Sequence, residues 1–544
     1  MVTSLFAAPH RLQCLPCLRL PSAARRSVLV LAATLLAFVP ALAPAADLRI
    51  GLSSEVTTMD PHFLNTGPNN AFLHHLFDSL TDVDAEGRLI PALAESWRAV
   101  DDTTWEFKLR RDVKFHDGSP FTAEDVLFSL ARPGLIPNSP GSYTSYTKPI
   151  VAMEAVDTHT VRLKTAAPYG PLALDLISIF IVSKKAAENA SQEQFNDGSA
   201  AIGTGPYRFA RFVKGEQIEV VRNDDFWGER PQWERVRFRM LPSGAPRLAA
   251  LLAGDVDLIE TVPPADLARL KKDARVQLAQ HTTWRTLFWQ LDQFRDVSPF
   301  VTDLKGKPLE RNPLKDVRVR RAISKAINRQ ALAERALEGL AVPASNLNSP
   351  GIFGYNPALP VEAYDPEGAK KLLAEAGYAE GFGLTVHGPN NRYINDDQVA
   401  QTVAQFLNRV GIRARVETQP VTVYFGKARA SDYSFALLGW GSLAADFTLR
   451  SIVGTPDPDS GWGTWNWGRY SNAGVDALVR DALGAVDPAQ REEFARQAVK
   501  AAMDDYAVIP SHHQIATWAL RKGLEYKGRI DEFTFAHEVR SGPR

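Results

Sequence analysis

Side chains able to meet a charged small molecule are concentrated in the later part of this 544-residue chain. The run Leu438–Phe447 places one acid, Asp446, near Trp440, Gly441 and Phe447. Pro389–Tyr393 brings Asn391, Arg392 and Tyr393 together ahead of a helix start. Trp462, Trp465 and Trp467 form a dense aromatic patch with Asn466, Arg469 and Tyr470. An acid offers a partner for a cation, an arginine fork fits a carboxylate, and aromatic faces cover apolar or cationic groups. Core packing is the default role of a tryptophan. Alternation at 465 and 467 puts those two on one face if the segment is a strand. Reaction chemistry has no comparable foothold. The chain carries no G-x-S-x-G elbow, no G-x-x-x-x-G-K-[ST] loop and no H-E-x-x-H pair. Gly461, Gly463 and Gly468 do not match the dinucleotide pattern. His512 and His513 would point to opposite faces of a strand, which disfavours a shared metal ion. Asp396-Asp397 and Asp504-Asp505 read as solvated faces or caps. These residues propose no enzyme, no cofactor and no metal site.

The elements that must position these residues alternate between strand and helix periodicity. Leu48–Leu52, Trp105–Leu109, Val113–Phe115, Val161–Leu163, Ile218–Val220 and Val256–Ile259 read as strands, and Arg235–Met240 alternates arginine with apolar residues as a strand with one wet face. Phe72–Leu80 carries helical apolar spacing. Thr122 with Glu124 and Asp125 starts a helix, because its hydroxyl caps the first turn and the acids sit at the positive end of the dipole. Asp365-Pro366 caps another that Gly377 ends, and Val399, Val403, Phe406, Leu407 and Val410 form a further stripe closed by Gly411. Ile412, Ala414 and Val416 then return to strand. Helix followed by strand in this manner predicts α/β packing. Gly203-Thr204-Gly205-Pro206 is a strong breaker.

The N-terminus reads as an export signal. Arg19, Arg25 and Arg26 precede the apolar run Val28–Val39, and Ala41–Ala46 supplies small residues for cleavage. The run is about a dozen residues, short of the roughly 20 that span a bilayer. A buried N-terminal helix, or a twin-arginine signal at Arg25-Arg26, are the competing readings. Cys14 and Cys17 lie upstream of the run and would leave with it, so no disulfide is expected in the exported protein. The first 46 residues hold four arginines and no other charged residue; the remainder therefore carries 58 basic against 62 acidic residues. That balance gives no basic footprint for nucleic acid. A soluble, periplasmic protein without membrane insertion is expected.

Several ordered segments together resemble one family. They are Pro91–Trp97 (PALAESW), Val113–Val126 (VKFHDGSPFTAEDV), Gly203–Phe209 (GTGPYRF), Leu251–Leu258 (LLAGDVDL), Val319–Leu332 (VRRAISKAINRQAL) and Tyr364–Tyr378 (YDPEGAKKLLAEAGY). The chain resembles the extracellular solute-binding proteins of family 5, the dipeptide- and oligopeptide-binding components of ABC importers. The resemblance implies a two-lobed periplasmic-binding-protein fold of type II, peptide-binding subclass, with mixed sheets and an extra subdomain in the first lobe. It implies a leader over 1–46, a first lobe over 47–286, a second over 287–510, and a return to the first over 511–544. Crossings are expected near 285–290 and 508–514. The implied partners are a small peptide-like solute and ABC permease subunits, with the protein itself a monomer. Burying either charge of a zwitterionic peptide unmatched costs several kcal/mol. By resemblance Asp446 would meet the ammonium group and Arg392 the carboxylate, with Trp440, Gly441, Tyr393, Asn391 and Trp465 around them. Rival readings keep the fold but change the solute to glutathione, a nickel complex, an oligosaccharide or an opine. Others make the chain a periplasmic chaperone, a sensor partner or a hydrolase.

Overall fold

Residues 47–542 are described by a computed structural model; the leader expected over 1–46 lies outside the described residues. Apolar alternation sets the sheet. In the strand Val276–Leu291, Leu287, Trp289 and Leu291 enter one core and Phe288 the other. In Phe435–Trp440, Phe435 and Leu437 join the first core, and Ala436 and Leu438 the second. Successive strand residues face opposite sides, so these unbroken apolar runs are covered on both. One cover includes the helices Val317–Ala326, Pro366–Glu375 and Asp396–Asn408. The other includes Ala445–Ile452, Ala473–Gly484 and Pro488–Asp504. Trp289 stacks on Phe435 with ring centroids 4.7 Å apart.

The main sheet has 12 strands. Its path runs from Val301–Thr302 through Phe382–Pro389 and Phe435–Trp440 to Val276–Leu291 and Ile509–Arg521. It continues through Leu258–Glu260, Asp47–Leu52, Arg235–Met240 and Gln217–Arg222 to Tyr207–Val213. Pairing is mixed: Asp47–Leu52 runs parallel to Arg235–Met240, and Val276–Leu291 antiparallel to Ile509–Arg521. A separate four-stranded antiparallel sheet of Ala94–Asp101, Thr104–Leu109, Thr160–Thr165 and Ile150–Asp157 packs with the helix Ala123–Ala131 as an extra subdomain. The fold is a two-lobed α/β arrangement with mixed sheets. Among the described residues no helix is long and apolar enough to cross a membrane.

Two long strands pair along most of their length. Val276–Thr282 pairs with Ile515–Arg521, and Thr286–Trp289 with Ile509–His513, with the register broken between Thr282 and Thr286. The C-terminal segment fills that break. Trp284 N donates to Ile530 O at 2.8 Å. The Glu532 carboxylate accepts from Thr283 Oγ1 at 2.9 Å, Arg285 Nε at 3.0 Å and Arg285 Nη2 at 2.7 Å. The early loop at Gly170 also meets the helix Ala473–Gly484, where Gly170 N donates to Leu483 O at 2.9 Å.

Three local expectations change. The helix expected at Phe72–Leu80 lies at Gly67–Leu73. The carbonyls of His75 and Leu76 instead accept from Tyr207 N and Gly205 N, so a partner strand's approach overrides helical spacing. Val113–Phe115 forms only an isolated bridge, Lys114 to Pro120. Trp462–Trp467 is a turn-rich loop and not a strand, with Gly463 at φ +61°, where any side chain is strained.

Candidate functional site

A cavity of about 310 Å³ is lined by residues from widely separated parts of the chain. The earlier part of the chain contributes Asp82, Asp175 and Phe180; the later part contributes Gly441–Ala444, Phe447 and Arg491. Trp284 and Arg285 enter from the broken crossing, and Asp531 and Phe533 from the C-terminal segment. Local chain geometry explains several of these positions. Trp284 sits where the ladder is interrupted, and a Cβ on Gly441 would stand 2.8 Å from its Cδ1 and Nε1, so only glycine lets the indole lie against this strand end. Arg491 opens the buried stripe Arg491, Ala495, Ala498, Val499 and Ala502 of the helix Pro488–Asp504. Helical spacing therefore turns its side chain inward.

The charges divide into satisfied and unsatisfied groups. The Arg285 fork is closed by Glu532. Asp531 is held by buried Arg529, whose Nη2 reaches its Oδ2 at 2.7 Å. Burial, with the Arg529 charge adding, holds His74 down at about 3, so it is neutral. Burial holds the Asp82 carboxyl up at about 6 against the opposing pull of Arg529. Burial also holds Asp175 at about 6, against its hydrogen bond from Tyr169 and the charges of Arg450 and Arg491. Arg491 is 7 % exposed. Its Nε donates to Asp446 Oδ2 at 2.7 Å, and its Nη2 is buried with no hydrogen-bond partner. Trp284 Nε1 is likewise buried and unpartnered. A buried donor without an acceptor is costly, so both groups hold an unmet hydrogen bond beside the cavity. Among the described residues no group of three or more His, Cys, Asp or Glu side chains could hold a metal ion.

The residues singled out from the sequence are only partly brought together. Gly441 lines the cavity. Trp440 and Asp446 stand one layer behind: Trp440 stacks on Phe447 with centroids 6.1 Å apart, and fully buried Asp446 holds Arg491. Trp465 packs against Trp440 at 5.5 Å and Trp467 at 5.9 Å. Asn391, Arg392 and Tyr393 are not among the residues lining the cavity. Asn391 Oδ1 accepts from Val421 N at 2.8 Å, capping the helix Val421–Arg429. Arg392 lies over the Tyr393 ring, 5.4 Å from its centroid. The Tyr393 hydroxyl accepts from Gly439 N at 2.9 Å and donates to Gly439 O at 3.3 Å. Tyr393→Phe leaves that strand-end N–H unmatched and is expected to lower stability by about 1–2 kcal/mol, read from the urea midpoint. Asp82, Asp175, Trp284, Arg491 and Phe533 were not singled out. Two of them carry a legible signal: Asp175 interrupts the apolar run Leu172–Phe180, and Arg491 occupies an apolar register of its helix.

The model of the bacterial extracellular solute-binding proteins, family 5 (middle region), matches residues 88–450. The chain is 30% identical to the glutathione-binding protein GsiB of Shigella dysenteriae over 88% of its own length and 91% of that protein's. It is 29% identical to heme-binding protein A of Haemophilus influenzae over 78% and 79%. The fold matches the periplasmic binding protein DppA of Helicobacter pylori in complex with the peptide STSA, with a TM-score of 0.72, 23% identity and 92% and 99% coverage.

Proposed function

This chain belongs to the bacterial extracellular solute-binding proteins of family 5, and from that premise we propose that it captures a small peptide-like solute between its lobes and hands it to an ABC importer's permease. The observation that carries this reading is a cavity of about 310 Å³ whose lining brings Arg491 and Trp284 together with Asp82 and Asp175. Donors and acids among aromatic surfaces suit a solute bearing both charges. The volume is at the small end of the roughly 300–1,000 Å³ of ligand pockets, which favours a compact solute.

We place the lobe division within Thr283–Arg285 and near His513-Gln514, where the crossing strands change register. That is close to the boundaries 286/287 and 510/511 expected from the sequence. The first lobe then comprises the chain up to the first crossing together with the C-terminal return, and the second everything between. Closure about those crossings would enclose the solute and create the surface a permease recognises. The protein would act in the periplasm after losing residues 1–46, as a monomer and without turning its solute over.

The test is native mass spectrometry of the purified protein, followed by a thermal-shift series over di- and tripeptides, glutathione and heme. A retained or added solute at 100 times its Kd should stabilise the protein by about 2.7 kcal/mol. A melting temperature indifferent to every solute, with no retained mass, would remove the reading.

A further inference from the structure

The charged side chains around the cavity do not balance. Arg285 gives Nε and Nη2 to Glu532 at 3.0 and 2.7 Å. Arg491 gives Nε to Asp446 at 2.7 Å. Arg529 serves two acids: its Nη2 reaches Asp531 at 2.7 Å and its Nη1 reaches Glu538 at 2.5 Å. These pairs account for the lining residues Arg285, Arg491 and Asp531. Asp82 and Asp175 are left over. Both line the cavity and keep part of their surface accessible, whereas Arg491 and Asp531 are buried. Neither forms an ion pair among the described residues; their hydrogen bonds come from Val83 N at 2.7 Å and the Tyr169 hydroxyl at 2.5 Å.

The surrounding charges do not make up the difference. Arg529 acts on Asp82, against Asp531, Glu538 and Asp78, the last of which is opposed by Arg110. Arg450 and Arg491 act on Asp175, against Asp446. His74, the remaining basic lining residue, is neutral. Taking the lining groups with their ion-pair partners and Arg450, four arginines face six acids, an excess of two negative charges when all are ionised. Phe180, Trp284, Phe447 and Phe533 line the same cavity and offer ring faces to a cation. Unmatched like charges in a confined site repel, so the empty cavity favours protons on the spare carboxyls and the filled one a positive occupant.

We propose that the solute carries a net positive charge, with at least one cationic group more than its anionic groups, and that Asp82 and Asp175 meet the surplus. This deepens the solute-binding reading above and rests on it. A short peptide with a basic side chain or a C-terminal amide has that balance. A zwitterionic peptide of neutral residues does not, and solutes with two carboxylates, glutathione and heme among them, are disfavoured by the unpaired acids.

The experiment is isothermal titration of the whole exported chain with isosteric pairs of probes. Lysyl-alanine is set against its Nε-acetyl form, and glutaminyl-alanine against glutamyl-alanine. Removing the side-chain cation is expected to weaken binding about tenfold or more, and adding the side-chain anion to do the same. Lysyl-alanine should also bind about tenfold more weakly at about pH 5 than at about pH 7, because both carboxyls, held up at about 6 by burial, are protonated at the lower pH. Near the midpoint its binding should release protons, read as a heat that changes with the ionisation enthalpy of the buffer. Asp82→Asn and Asp175→Asn should each narrow the gap between lysyl-alanine and its acetyl form; a residue that only supported the fold would weaken both alike. The probes on the unaltered protein carry the test even if a variant fails to fold. Equal or tighter binding of the acetyl or the glutamyl form overturns the charge assignment and leaves the solute-binding reading intact. Where no probe binds, native mass spectrometry of a retained solute decides: a cationic one supports the assignment, and a neutral or acidic one overturns it. Binding of nothing, with no solute retained on purification, overturns both.

Discussion

Replacing Gly170 with alanine is expected to weaken solute binding by about 100-fold or more while barely moving the unfolding transition of the solute-free protein. The added Cβ would overlap the Ala485 carbonyl oxygen and stand 3.0 Å from both the Ala485 carbonyl carbon and Arg491 Cδ. The nearest of these atoms is backbone, so no rotamer change relieves the clash. Alanine keeps the N–H that donates to Leu483 O, so bulk alone distinguishes the two residues. The inexpensive response is for the lobes to stay apart. The cavity would then lose the wall formed by Gly441–Ala444, Phe447 and Arg491 while each lobe keeps its own core. A 100-fold loss corresponds to about 2.7 kcal/mol, a modest share of what closing over a zwitterion gains. Calorimetry measures the affinity, and small-angle scattering reports whether solute still contracts the molecule. Unchanged affinity with normal contraction would mean that the loop Tyr169–Pro171 yields and that this contact does not govern closure.

The sequence made secondary structure legible wherever one local rule acted alone. Arg235–Met240 alternates and is buried on its apolar side only, as a half-wet strand requires. Thr122 and Asp365 cap the helices they were expected to start, and Gly377 and Gly411 take the positive φ that ends a helix. Legibility failed where a distant segment decided the outcome. The apolar spacing from Phe72 to Leu80 is real, and Phe72, Leu73, Leu76, Phe77 and Leu80 are all buried. Yet Gly205 comes so close to this turn that a Cβ would stand 2.6 Å from the Leu76 carbonyl carbon. The breaker Gly203–Pro206 therefore has a structural purpose that neither segment reveals alone. The cavity is harder still. Its charged walls come from Asp82, Asp175, Arg285, Arg491 and Asp531, separated by most of the chain. Short motifs such as Leu438–Phe447 show that an acid is near aromatics. They do not show that Asp446 faces away from the cavity towards a partner 45 residues later.

That orientation gives Asp446 a different expected phenotype from a direct ligand contact. Asp446 is fully buried at the start of the helix Ala445–Ile452, and its carboxylate accepts from Phe447 N at 2.7 Å and Arg491 Nε at 2.7 Å. Asp446→Ala strands the Arg491 guanidinium, which is 7 % exposed, without its counter-charge. Removing one partner of a buried pair costs about 3–5 kcal/mol, so the solute-free variant should unfold at markedly lower urea. A residue that only met the solute's ammonium would lose affinity and leave solute-free stability unchanged or improved; that outcome would sink the assignment made here. The double variant Asp446→Leu with Arg491→Met separates the two roles of the pair. Apolar residues of similar volume can replace a buried ion pair at little cost, so stability should return most of the way. Solute binding should not return with it, because the one arginine among the second group of lining residues is gone. Recovery of stability without recovery of binding would identify Asp446 as the residue that orients the anchor and Arg491 as the anchor itself.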